Sequence, residues 1–128
     1  MIHITLADAI RFAEEAASEK PEGYVYINPD GNGAGEIGIS CNYWDHKKDE
    51  PSCLVGQVLH KAGLNGSVAD WKFSGRWISE LSYHLRGAVE IDFDALNFLT
   101  RVQQRQDNGS TWRSSIASGK NAVSIANL

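Results

Sequence analysis

The chain has 128 residues, 42% of them hydrophobic and 22% charged, a composition that supports one folded domain with a core built without metal or disulfide staples. No run of 18 or more apolar residues is present, which excludes a membrane-spanning helix. The net charge of −4 is uneven: residues 1–50 carry four Lys/Arg against ten Asp/Glu, residues 51–100 four against five, and residues 101–128 four against one. The basic residues of the last segment (Arg101, Arg105, Arg113, Lys120) are spread over two predicted helices. A phosphate-binding face needs them concentrated, so direct nucleic-acid binding is disfavoured.

The opening residues lack a cationic flank, an apolar stretch and a cleavage site, so no signal peptide is expected. Two cysteines in such a chain point to a reducing cytoplasm and two separate thiols, the alternative being that Cys41 at a strand end and Cys53 at a helix start come within reach and share a metal or a disulfide. A first helix is predicted from Leu6 to Glu19. Thr5 caps it, Asp8 completes a capping-box-like pair, and Leu6, Ala9, Ile10, Ala13 and Ala17 share one face. Tyr24–Ile27 reads as a strand, residues 28–38 as a Gly-rich hairpin tip, and Glu36–Trp44 as the returning strand. The charged stretch Asp45–Glu50 then leads into a second helix, capped by Ser52, with Cys53 at its first helical position and Gly63 closing it.

A third helix is expected from Ser74 to Arg86, ended by Gly87, with Trp77, Ile78, Leu81 and Leu85 inward. Val89–Ile91 suits a short strand. Asp92 caps a fourth helix that buries Leu96, Leu99 and Val102 and stops at Asn108-Gly109. A short fifth helix starts at Ser110 or Thr111 and ends at Gly119, leaving residues 121–128 as a frayed tail or an edge strand. The expected fold is α+β: one helix-rich domain over residues 1–128, about five helices, with a small antiparallel hairpin or sheet in the N-terminal half.

Cys53 at a helix start is where the helix dipole favours a thiolate. Its helix looks superficially like the nucleophile helix of NlpC-type cysteine peptidases. The Asp that precedes the nucleophile there is Ser52 here, and no strand with a His-Val/Ile-Gly signature follows. His60 is seven residues on, roughly 10 Å along a helix axis, too far for direct proton transfer. A structural Cys53 is the preferred reading. The alternative, a thiol-dependent hydrolase, would pair it with His46, His60 or His84. Cys41, His46, Cys53 and His60 form the candidate metal set of a second alternative, a zinc-stabilised regulatory module, but their gaps lack a Cys-x₂₋₄-Cys or His-x₃₋₅-His knuckle, so no metal or cofactor is expected. The loop from Asp30 fails as an EF-hand, since position twelve is Cys41 rather than an acid.

Two blocks carry a wider resemblance. Pro51-Ser-Cys-Leu-Val-Gly56 with the Leu59-His-Lys-Ala-Gly63 helix end, and Gln103…Gln106-Asp107-x-Gly109-x-x-Trp112, together with Tyr24-Val-Tyr26, resemble small uncharacterised proteins of actinobacteria and their phages. The resemblance implies a cytoplasmic accessory protein and no established catalytic residue. Gly56, Gly63, Gln106, Asp107, Gly109 and Trp112 are read as structural, with Trp112 anchoring a helix corner and its N–H in need of a partner. The expected activity is binding of a host protein. Asp30, Asn32, Asp45, His46, Asp49 and Glu50 are the contact candidates at the hairpin tip and the charged stretch.

Overall fold

The computed structural model describes residues 1–27, 43–45, 48–64 and 78–126, with residues 80, 81, 84, 125 and 126 described for backbone only. β1 (Ile2–Ile4) runs directly into α1 (Leu6–Ser18). The capping box is formed: Thr5 Oγ1 accepts the Asp8 N–H at 3.1 Å, and the Asp8 carboxylate accepts the Thr5 N–H at 3.2 Å. Those two bonds satisfy donors that the first helical turn leaves open. The inner stripe of α1 is all alanine (Ala9, Ala13, Ala16, Ala17), so later helices pack close to its backbone.

Tyr24–Ile27 was expected to be a strand and is not one. A single antiparallel bridge joins Val25 to Thr111, and the Trp112 N–H donates to the Tyr24 carbonyl at 3.1 Å. The segment's neighbour is the short link between two helices, which offers too little extended backbone for a ladder. The expected hairpin over 24–44 falls largely outside the described residues. A smaller antiparallel pair lies just after it, where β2 (Trp44–Asp45) pairs with β3 (Glu50–Pro51). Asp45 and Glu50, at the two ends of the charged stretch, are therefore paired strand residues. Asp45 accepts the Lys48 N–H at 3.2 Å, and Asp49 takes the left-handed conformation (φ 54°) that Asp tolerates in turns.

α2 (Leu54–Lys61) begins one residue later than expected: Cys53, not Ser52, is the N-cap, its Sγ accepting the Gly56 N–H at 3.4 Å. Leu54, Val55, Val58 and Leu59 are fully buried. The helix ends in a Schellman turn, with Gly63 at φ 118° and the Leu64 N–H returning to the Leu59 carbonyl at 3.1 Å. α3 (Ile78–His84) is the described part of the third helix; Ser74 and Trp77 lie outside the described residues. β4 (Val89–Ile91) pairs in parallel with β1, Ile2 opposite Val89 and Ile4 opposite Ile91. That partner was not anticipated, because three residues are too short to show alternation.

α4 (Phe93–Asp107) follows Asp92, whose carboxylate makes no bond to the helix and instead meets His3 Nε2 at 2.6 Å. Gly109 at φ 93° closes α4 by a second Schellman turn, Ser110 N–H to Arg105 C=O at 3.0 Å. α5 (Trp112–Ala126) runs past Gly119, where a stop was expected, so residues 121–126 are helical rather than a tail. Gly119 lies inside the helix because α4 crosses there. A Cβ at Gly119 would stand 2.7 Å from Val102 Cγ2 and 2.8 Å from Phe98 Cδ1. The expected α+β, helix-rich character is what the structure has: four helices of eight residues or more, one of seven, an antiparallel pair and a parallel pair among the described residues. None of the described helices is long and apolar enough to cross a membrane.

Candidate functional site

The two ends of α2 have opposite surroundings. Its N-terminus is buried among the helix corner residues. Gln106 Oε1 accepts both the Leu54 N–H at 2.8 Å and the Trp112 indole N–H at 3.0 Å, while Gln106 Nε2 donates to Asp107 at 3.1 Å. Gln103, also fully buried, accepts the Ile78 N–H at 2.8 Å and donates to the Tyr43 hydroxyl at 2.7 Å. Each glutamine thus ties the first turn of another helix to α4. Trp112 packs edge-on against Tyr24 at 4.7 Å. No buried side-chain N or O among the described residues lacks a partner, so the corner has no polar group left for a ligand.

Along one side of α2, from the residues that enter it to its last turn, lies a cleft of about 540 Å³, a volume within the range of ligand sites. Its walls are the last turn of α1 (Ala16, Glu19, Lys20), the extended segment with Tyr24, Tyr26 and Ile27, the β2–β3 hairpin (Asp45, Lys48, Glu50, Pro51) and α2 itself (Gln57, His60, Lys61). At its base the Tyr26 hydroxyl meets Ser52 Oγ at 2.8 Å, and Gln57 Nε2 donates to the Pro51 carbonyl at 2.9 Å. His60 Nδ1 lies 3.3 Å from the Leu64 carbonyl; as the donor it leaves Nε2 as an acceptor. The imidazole rests edge-on against Trp44 at 5.4 Å. Lys61 pairs with Glu19, and the Lys20 ammonium stands 5.1 Å over the Tyr24 ring. Partial burial pushes the Tyr24 phenol up, so it stays a neutral donor. The cleft therefore offers both signs of charge, two phenols and an amide, a set suited to holding a polar partner.

Of the contact candidates, Asp45 and Glu50 line this cleft, directly opposite each other across β2 and β3. Asp45 is buried rather than exposed, because it accepts the turn N–H. Asp49 accepts from the Trp44 indole at 3.3 Å. Asp30, Asn32 and His46 lie outside the described residues, as does Cys41. Cys53 is fully buried and disulfide-bonded, which replaces the expectation of two reduced thiols. His60 is exposed at the other end of α2, and the side chain of His84 is not described. Among the described residues no three His, Cys, Asp or Glu side chains gather as a metal set.

Tyr26, Ser52, Gln57 and Lys61 were not among the expected site residues. Gln57, His60 and Lys61 did leave a signal: spaced three and four apart, they form the polar stripe of an otherwise apolar helix. Tyr26 and Ser52 left none, since 26 residues separate them. No protein-family model matches the chain, and searches of curated proteins and of solved structures give no significant match.

Proposed function

We propose that this is a small accessory protein, phage-encoded and acting in the cytoplasm of a bacterial host, that works by binding a host protein rather than by catalysis. The cleft along the side of α2, next to the C-terminal end of α1, is the contact. One observation carries the reading: the nucleophiles in and beside the cleft are already committed. Ser52 Oγ is bonded to the Tyr26 hydroxyl, and Cys53 Sγ is fully buried, accepting the Gly56 N–H. A general base needs an open line to its nucleophile. What faces outward instead are the exposed side chains of Lys48 and Glu50, beside the paired β2 and β3. The resemblance to actinobacterial and phage proteins supports the phage origin and the host.

The test is affinity capture from an actinobacterial lysate with the wild type and with Lys48→Glu and Glu50→Lys, followed by binding assays on the purified partner. A single host protein retained by the wild type and by the control Arg113→Glu, but lost by both hairpin variants, is the expected result. Equal capture by all four moves the contact away from the cleft. Hydrolytic turnover that appears on reduction and disappears in Cys53→Ala would replace the binding reading with the thiol hydrolase.

A further inference from the structure

We propose that the outer edge of β4 takes an extended peptide segment of a partner protein as an added strand, with an acidic side chain of that segment set against Arg86. The direction of the main-chain groups carries the inference. In the parallel β1–β4 pair the Ile2 N–H donates to the Ala88 carbonyl at 3.0 Å, and the Asp92 N–H to the Ile4 carbonyl at 3.0 Å. With Ile2 opposite Val89 and Ile4 opposite Ile91, that pattern turns the N–H and C=O of Glu90 toward β1. The same groups of Val89 and Ile91 point the other way, because successive residues of a strand alternate in the direction of their hydrogen bonds.

The outward row is only partly used. The Val89 N–H donates to the Leu85 carbonyl at 2.8 Å, which sets the end of α3 on this side of β4. The Val89 carbonyl and both main-chain groups of the half-buried Ile91 make no hydrogen bond among the described residues. Nor does β4 have a second strand partner among them. A row of this kind is the template on which an extended peptide adds. An antiparallel segment would exchange two bonds with Ile91 and give a third to the Val89 carbonyl.

A groove of about 380 Å³ touches all three residues of β4 together with Met1, Ser82 and Arg86. None of these residues lines the cleft beside α2, so the two surfaces are separate. Arg86 sets the sign of the occupant. Its guanidinium stacks on the Tyr83 ring at 4.4 Å and pairs with no carboxylate among the described residues. Glu90, the carboxylate of the groove, is drawn instead to His3, whose pKa it helps to raise. A cation left open beside an open strand edge fits an aspartate or glutamate on the incoming segment.

Amide exchange on the intact protein comes first: the Ile91 N–H should exchange much faster than the Glu90 N–H, which the ladder holds. The ligand probe is then a displayed library of random peptides. Selection should enrich acidic peptides of extended, alternating pattern, and the bound peptide should slow Ile91 exchange about tenfold or more. N-methylation of alternate peptide residues should abolish binding in one register and spare it in the other. Arg86→Glu, at an exposed position, should weaken the peptide about tenfold, and replacing its acid by Lys should restore binding to that variant. Equal protection of Ile91 and Glu90 in the free protein, no enriched peptide, or a bound peptide that leaves Ile91 exchange unchanged would each overturn the proposal. Self-association that itself protects Ile91 would also overturn it, in favour of a second copy at the edge.

Discussion

The two ends of α2 use the same kinds of polar side chain for different purposes. At the N-terminus, Gln103, Gln106 and Tyr43 are fully buried, and the hydrogen bonds of the two glutamines run inward, to helix starts, the Trp112 indole, Tyr43 and Asp107. At the C-terminus, Gln57, His60 and Lys61 face a cleft, with charges of both signs around them. Polar groups in the first setting are costly if one partner is removed, because the other is left unsatisfied in a dry interior. In the second, water replaces a lost partner. Changes at the buried end should therefore cost stability, and changes at the open end should cost binding.

The sharpest way to break the buried end is Gly56→Ala. The new Cβ would stand 2.1 Å from the Tyr43 carbonyl oxygen, which the Ser52 N–H also holds. Backbone on both sides leaves nothing flexible to yield, so the loss should be about 3 kcal/mol or more by chemical denaturation. Gly23→Ala, with open space around it, is the control. Gln106→Leu keeps the volume but strands the Leu54 and Trp112 N–H groups, at a cost of about 3 kcal/mol. Its denaturation midpoint should fall with an unchanged slope. Reducing the Cys53 disulfide should lower stability by about 2 kcal/mol or more, read as a lower melting temperature in a reductant. Iodoacetamide should label Cys53 only after that reduction.

At the open end the effects on stability shrink. Tyr26 is buried at the cleft floor, and Tyr26→Phe removes its bond to Ser52 while keeping the packing of the ring, which should cost about 1 kcal/mol. A loss as large as that of Gln106→Leu would mean that the cleft base is core rather than site, and the contrast between the two ends would fail. The smallest effect belongs to His3. Its hydrogen bond to Asp92, and then the attraction of that carboxylate, raise its pKa above the ordinary 6.5. The stability contributed by the pair is fully present below pH 6.5 and is lost as pH rises through the raised value. NMR titration of the His3 ring should give a pKa above 6.5 that falls in Asp92→Asn.

Much of the secondary structure was legible because it is written locally. The Thr5–Asp8 box, the Gly63 and Gly109 helix ends and the apolar stripe of α2 each depend on residues within one or two turns. Gly119 was misread by the same local logic, since a glycine that ends a helix and one that lets two helices touch look identical in sequence. β1 and the β2–β3 pair were missed for a related reason: strands of two or three residues carry no period, and their partners fix them.

The sequence alone determined where the chain turns, where most helices begin and which faces are apolar, because caps, glycine conformations and hydrophobic spacing act over a few residues. It also marked Gln106 and Trp112 as members of one corner. Only the tertiary structure decided that Gln106 reaches 52 residues back to Leu54, that Cys53 is bridged, and that Tyr26, Ser52 and the end of α2 share a cleft. Those facts depend on how helices pack across the core, and contacts between distant segments leave no pattern in either segment alone.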